Sequence, residues 1–160
     1  EVFVVQNVIN HLVCRAGWMM GGGPKKDKKF VQKIMSQLRQ GKDELFIVDD
    51  KLGTPTYTHD FANNVKLLLE EEYWGLYNMV CDGITGRYEV ATELIDILGL
   101  NDSVKITPVT SDYWKEEYFA DRPPSERLID RKLNLRGVNI MRDWRICLKE
   151  YINDYYQNYL

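Results

Sequence analysis

The chain has 160 residues, 44% hydrophobic and 28% charged, the balance of an ordinary globular domain and not of a disordered segment. Twenty-one Lys and Arg against 24 Asp and Glu give a net charge of −3, which disfavours a general nucleic-acid binder. No apolar run approaches the roughly 20 residues that span a bilayer, and residues 1–10 lack the basic start and cleavage pattern of a signal peptide.

Cys14, Cys81 and Cys147 lie far apart and show no zinc-ligand spacing to histidine, so a reduced, cytoplasmic protein without a metal is expected. The chain opens on Glu and not Met, and enters an apolar pattern at once, as a fragment, a processed product or an incomplete chain does.

Val4, Val5, Val8, Ile9 and Leu12 recur at helical spacing, so the chain is expected to open in a helix. Leu12 to Trp18 reads as a buried strand, broken by the turn Gly21-Gly22-Gly23-Pro24. Phe30, Val31, Ile34, Met35 and Leu38 form a second helical stripe with Gly41 as its stop. Glu44 to Val48 is a short apolar strand, followed by a loop from Asp49 to His59 rich in Asp, Gly, Thr and Pro.

Phe61, Ala62, Val65, Leu68 and Leu69 mark the next helix, with Asp60 suited to its positively polarised first turn. Leu76 to Val80 is a strand, and Thr85 is a candidate cap for a helix carrying Val90, Ala91, Leu94 and Leu98 up to Gly99. Val104 to Val109 is a further strand, and residues 111–125 are irregular and aromatic. The last helix carries Trp144, Cys147, Leu148, Tyr151, Ile152 and Tyr155. Strands alternating with helices of about 10 to 15 residues predict an α/β architecture with largely parallel strands in a single unit over 1–160.

The chain contains no G-x-S-x-G, Walker loop, H-E-x-x-H or C-x-x-C. The glycine run at 21–23 lacks the G-K-[ST] ending of a phosphate cradle and reads as a strand-to-helix turn. Lys25, Lys26, Lys28 and Lys29 suit either an anionic ligand or a solvated first turn. Asp49, Asp50, His59 and Asp60 do not match a known metal-ligand spacing, and His11 beside a strand reads as structural.

Trp18 falls where a strand is expected to end, the place where open α/β sheets bind ligands. It suits stacking on a sugar or base, and core packing equally. Arg122, beside Pro123-Pro124, has a fork that fits a phosphate in the kind of irregular segment where functional residues gather, with a structural salt bridge as the alternative.

Taken in order, several segments resemble the dTDP-4-dehydrorhamnose reductases, which are extended short-chain dehydrogenase/reductases. Arg15-Ala16-Gly17-Trp18-Met19-Met20-Gly21 resembles their sixth strand. Asp50-Lys51-Leu52-Gly53-Thr54-Pro55-Thr56 resembles their D-Q-x-G-x-P-T loop, and Thr58-His59-Asp60-Phe61-Ala62 the D-L-A helix start. Gly75-Leu76-Tyr77-Asn78 resembles G-x-Y-H, residues 122–128 resemble R-P-x-x-S-x-L, and Trp144 to Lys149 resembles the W-x-x-x-L of the last helix. Lys51 and Asn78 depart from the family's glutamine and histidine.

The resemblance implies the C-terminal part of a Rossmann-type fold with a small substrate-binding lobe. It implies an enzyme that passes a hydride from NADPH, or NADH, to the C4 ketone of a dTDP-linked deoxysugar, making dTDP-L-rhamnose. It places Trp18 against the sugar, Arg122 on the phosphates, Thr56 in the substrate loop, and Arg15 and Gly17 near the nicotinamide.

The family's G-x-x-G-x-x-G turn and Y-x-x-x-K pair do not occur in this sequence. The chain is therefore expected to be the substrate-binding half, inactive alone and prone to poor solubility or to forming a homodimer. A non-catalytic member of the same fold and an epimerase or dehydratase relative are the alternatives.

Overall fold

A computed structural model describes residues 1–117 and 123–160. The elements run α1 (Val2–Asn7), β1 (Leu12–Arg15), β2 (Trp18–Met20), α2 (Gly23–Lys26), α3 (Phe30–Arg39), β3 (Glu44–Val48), β4 (Leu52–Gly53), β5 (Pro55–Tyr57) and α4 (Thr58–Glu70). They continue as β6 (Gly75–Asn78), β7 (Thr85–Gly86), α5 (Arg87–Ile97), β8 (Lys105–Val109), a tight helical turn at Ser111–Glu117, α6 (Arg131–Arg136) and α7 (Trp144–Tyr156). β1 pairs with β6, β2 with β5 and β3 with β8, all parallel, while the short β4 and β7 are antiparallel. Parallel partners far apart in sequence, joined through helices, make this the expected α/β arrangement.

The strand expected from Leu12 to Trp18 is two strands with different partners. Gly17 donates its N–H to the Thr56 hydroxyl at 2.8 Å, and Trp18 donates its N–H to the Thr54 carbonyl at 2.8 Å. A Cβ on Gly17 would lie 2.1 Å from the Thr54 carbonyl oxygen. Glycine is therefore required where the chain leaves β6 for β5, and the switch depends on a close backbone approach that no local periodicity reports.

The core is packed mainly by α3, α5 and α7. Val31, Ile34, Met35 and Leu38 are the buried face of α3, and Gly41, at φ 78°, follows its end. α7 buries Trp144, Cys147, Leu148, Tyr151, Ile152 and Tyr156, an apolar stripe of helical period. Its N-terminus is capped by Asp143, whose carboxylate accepts the Arg145 N–H at 2.8 Å. The helix packs on α5, α2 and β5.

Hydrogen bonds from its phenols tie it to the N-terminal part of the chain. Tyr151 donates to Asp27 at 2.9 Å and accepts the Gly23 N–H at 3.1 Å, and Tyr156 donates to Gln32 at 2.8 Å. Burial, with the hydrogen bonds to Tyr156 and Asp27, pushes the Tyr151 phenol well above its ordinary range, and burial pushes that of Tyr156 up to about 12 against the lowering effect of its hydrogen bond with Tyr151.

Two expectations change at helix boundaries. Thr85 does not cap α5: its hydroxyl donates to the Gly86 carbonyl at 3.1 Å, and the Gly86 N–H is instead satisfied by the Glu89 carboxylate at 2.8 Å. The inner line of α4 is Asp60, Asn64 and Leu68, while Leu69 is exposed. Asn64 donates to the Val138 carbonyl and accepts the Ile140 N–H, both at 3.2 Å. The helix thus faces a loop backbone that needs hydrogen-bond partners.

Candidate functional site

Trp18 begins β2, immediately beyond the end of β1. Three contacts fix its indole. The ring N–H donates to the Glu126 carboxylate at 2.9 Å. A Cβ on Gly53 would lie 2.1 Å from the six-membered ring, so the D-x-x-G-x-P-T glycine is the residue that lets the indole lie flush on β4. The Arg87 guanidinium carbon lies 5.3 Å from the ring centroid, within the reach of a cation–π contact.

Trp18 lines a cavity of about 430 Å³ together with Gly17, Lys29, Phe30, Arg87 and Glu126. That volume lies in the range of small-molecule sites. Two cations and one carboxylate share its wall, and the carboxylate already accepts the indole N–H.

The other expected site residues are placed as follows. Thr56 is fully buried in β5 and spends its hydroxyl oxygen on the Gly17 N–H. It shapes the backbone under Trp18. Gly17 reaches the cavity wall, whereas Arg15 forms a two-pronged ion pair with Glu1 at 2.7 and 2.6 Å on the exposed side of β1. Arg122 lies outside the described residues. All four lysines at 25–29 are exposed, and Lys29 alone among them reaches the cavity.

The aspartates of the loop do not converge with His59. Asp50 accepts the Ser111 N–H at 3.0 Å and its hydroxyl at 2.8 Å. Asp60 accepts Arg142 Nη2 at 2.7 Å and Nε at 2.9 Å, and the Cys147 thiol at 3.3 Å. Burial raises the Asp60 pKa, but the Arg142 and Cys147 hydrogen bonds outweigh it and hold the carboxyl below its ordinary value. No cluster of three or more potential metal ligands is found among the described residues.

Three residues that sequence reasoning passed over belong here. Arg87 and Glu126 meet Trp18 only through the tertiary fold; no local pattern marks Arg87, and the motif over residues 122–128 contains Glu126 without pointing to Trp18. Asp130 is buried in a second cavity of about 360 Å³, lined also by Thr54, Val80, Asp82 and Arg127. Its carboxylate accepts the Val80 N–H at 3.1 and 3.2 Å. Burial, with a smaller contribution from the Asp82 charge, pushes its pKa up to about 7 against the lowering effect of that N–H. Asn78, where the family motif has histidine, donates to the Ile129 carbonyl at 3.0 Å and so helps hold the segment that carries Asp130.

Residues 1–157 match the model of the RmlD substrate binding domain. The chain belongs to that family. It is 31% identical over 142 residues to the spore coat polysaccharide biosynthesis protein SpsK of Bacillus subtilis, covering 89% of this chain and 47% of that protein. A crystal structure of a dTDP-4-dehydrorhamnose reductase from Clostridium acetobutylicum superposes with a TM-score of 0.75 at 34% identity, covering 89% of this chain and 48% of the other. The Bacillus anthracis dTDP-4-dehydrorhamnose reductase in complex with NADP gives a TM-score of 0.81 at 25% identity, covering 96% and 51%. This member of the RmlD substrate binding domain family therefore spans about half the length of the proteins it matches. No helix among the described residues is long and apolar enough to cross a membrane.

Proposed function

We propose that this chain is the part of an NAD(P)H-dependent dTDP-4-dehydrorhamnose reductase that holds the dTDP-linked deoxysugar. The observation that carries the reading is Trp18, fixed by Glu126, Gly53 and Arg87 on the wall of a cavity, in a chain matched by a substrate-binding family model over almost its whole length. A held indole offers a flat apolar surface to the C–H face of a pyranose, and holding it in advance reduces the ordering cost of binding. Arg122 is assigned to the phosphates on the strength of the motif resemblance.

The residues of this chain do not fit a complete dinucleotide cradle. It contains no G-x-x-G-x-x-G turn and no Y-x-x-x-K pair, and Arg15 is paired with Glu1. In the reading proposed, NADPH supplies the hydride when bound, and the work of this chain is to hold and orient the sugar nucleotide. The three free cysteines support a reducing, cytoplasmic setting.

Calorimetric titration of the chain with dTDP and, separately, with NADPH tests this. Binding of dTDP, weakened by Arg122→Ala, is the expected result, and a dTDP-linked hexose, which adds the pyranose that dTDP lacks, binds more tightly than dTDP by a margin that Trp18→Ala removes. Binding of NADPH without dTDP would overturn the assignment of the cavity.

A further inference from the structure

We infer that Asp130 is a proton-operated positioning residue for Trp18: when its carboxyl loses the proton, Arg127 turns to it across the cavity they share, and Glu126, the next residue, shifts its hold on the indole. The inference rests on the sugar-nucleotide reading above for its consequence, a grip on the sugar that weakens as pH rises. Asp130 is 6% exposed, and its carboxyl oxygens face the Val80 N–H. Arg127 lines the same cavity of about 360 Å³, and its Nε is buried without a hydrogen-bond partner among the described residues. Burial pushes the Asp130 carboxyl up to about 7, so its proton leaves near neutral pH.

The other groups around Asp130 give an ionised carboxylate no cation. Beyond β6, Cys81 and Asp82 line the cavity, and the charge of Asp82 opposes ionisation. On α6, Arg131 is exposed and the Lys132 ammonium lies 4.1 Å from the Tyr77 ring centroid. Past Met141, Arg142 is held by Asp60 and Glu150, and Asp143 accepts the Arg145 N–H. Arg127 is the cation on the cavity wall, and a carboxylate removed from water draws such a partner strongly.

Three contacts carry a movement here to Trp18. Glu126 precedes Arg127 in the chain, and its carboxylate accepts the indole N–H at 2.9 Å. Thr54 lines the Asp130 cavity, and its carbonyl accepts the Trp18 backbone N–H at 2.8 Å. Val80, which donates to Asp130, packs on Gly17, where an added Cβ would lie 3.2 Å from a Val80 methyl.

The test is NMR of the isotope-labelled full chain, following the indole N–H resonances from about pH 5 to about pH 9, a range that spans both protonation states of Asp130. Loss of one resonance in Trp18→Phe assigns Trp18, and Trp74 and Trp114 serve as internal controls. Far-UV circular dichroism checks that each variant is folded. The Trp18 resonance is expected to titrate with a midpoint of about 7, not to titrate in Asp130→Asn, and to titrate weakly in Arg127→Gln. Arg127→Lys, which keeps the cation, recovers part of the response. By calorimetry, the margin by which dTDP-glucose binds more tightly than dTDP falls roughly 5-fold from pH 6 to pH 8, the size of one weakened hydrogen bond. Asp130→Asn keeps that margin constant.

A Trp18 resonance that does not titrate, or that titrates equally in Asp130→Asn or in Arg127→Gln, overturns the inference while the sugar-nucleotide reading stands on its own titrations. A resonance that follows Asp130 with a constant sugar margin overturns the consequence for the sugar. If wild type binds neither dTDP nor dTDP-glucose, the sugar-nucleotide reading falls, and the resonance still decides whether Asp130 positions Trp18.

Discussion

Helices α1 and α7 both carry apolar side chains at helical spacing, yet α7 buries six residues and α1 buries none. Val2 and Phe3 of α1 are 68% and 74% exposed and Ile9, just past its end, 94%, whereas Trp144, Cys147, Leu148 and Tyr151 are wholly inaccessible. The pattern of spacing is the same; the difference is what lies opposite. α7 lies against β5 and α5, is capped by Asp143, and is tied through Tyr151 and Tyr156 to Asp27 and Gln32. α1 is held mainly by its own turns and by the Glu1–Arg15 ion pair, which is exposed and of little energetic weight. Periodicity thus identifies a helix with one apolar face, and only the fold says whether that face is filled.

The largest test of this contrast is a pair of truncations. Trp144→Ala empties a fully buried site and is expected to cost about 3–5 kcal/mol in urea denaturation. Phe3→Ala is expected to change stability by less than about 0.5 kcal/mol. A loss on Phe3→Ala comparable with that of a core residue would break the comparison, because it would mean that α1 is packed in solution.

The tie between α4 and α7 is sharpened next. Arg142 holds Asp60 and also donates to Glu150 at 2.6 Å. Arg142→Ala leaves the Asp60 carboxylate buried with the Cys147 thiol and the backbone N–H of residue 142 as partners and is expected to cost about 2–3 kcal/mol, less than a wholly buried pair because Arg142 is part exposed. The pH dependence fixes the cause. The folded pKa of Asp60 is lowered, so its contribution is present above the unfolded value, near 4, and is lost as pH falls through the folded value. Arg142→Ala should remove that part of the acid sensitivity. Wild-type acid sensitivity in the variant would assign the effect to other carboxylates.

Asp130 is the opposite case among buried carboxylates. Asp60 meets a guanidinium, while Asp130 meets one backbone N–H and the charge of Asp82. Its folded pKa, about 7, is above the unfolded value, so the folded state binds more protons between pH 4 and 7 and stability falls as pH rises across that window. Asp130→Asn keeps an acceptor for Val80 and cannot ionise. It is expected to gain on the order of 1 to 2 kcal/mol over wild type at pH 8 relative to pH 5. Parallel pH profiles for the two proteins would contradict the assignment.

The same division between local and distant causes explains how far the sequence could be read. The stripes of α3, α5 and α7, and the stops at Gly41 and Gly99, are local, and they stand where spacing and turn chemistry place them, except that α7 buries Tyr156 at its end and leaves the expected Tyr155 exposed. The break at Gly17 is set by Thr54 and Thr56, and the orientation of Trp18 by Glu126, more than a hundred residues away. Such contacts leave no periodic trace. Trp18 was legible as a site residue through its motif. The residues that hold it and charge its cavity, Glu126 and Arg87, were not: a lone Arg at the start of a helix resembles any solvated charge, and the loop motif that contains Glu126 does not name its distant partner. Short Asp130-bearing loops hide their burial for the same reason.

The smallest expected effect bears on α1 once more. A helix with exposed Val2 and Phe3, followed by exposed Ile9, should contribute to association and to dye binding and little to folding. Phe3→Ser combined with Ile9→Ser is expected to lower the binding of a hydrophobic dye such as ANS, and any self-association seen by sedimentation velocity, with the urea midpoint shifted by no more than about 0.5 kcal/mol equivalent. Reduced association at unchanged stability means that the α1 face contacts other molecules and not its own core. Unchanged association would place the contact elsewhere, and the exposed Ile129 and Leu135 beside the Asp130 cavity are then the next residues to change. A loss of stability equal to that of Trp144→Ala would instead show that α1 and α7 are filled alike, and that the two helices differ only in which surface covers them.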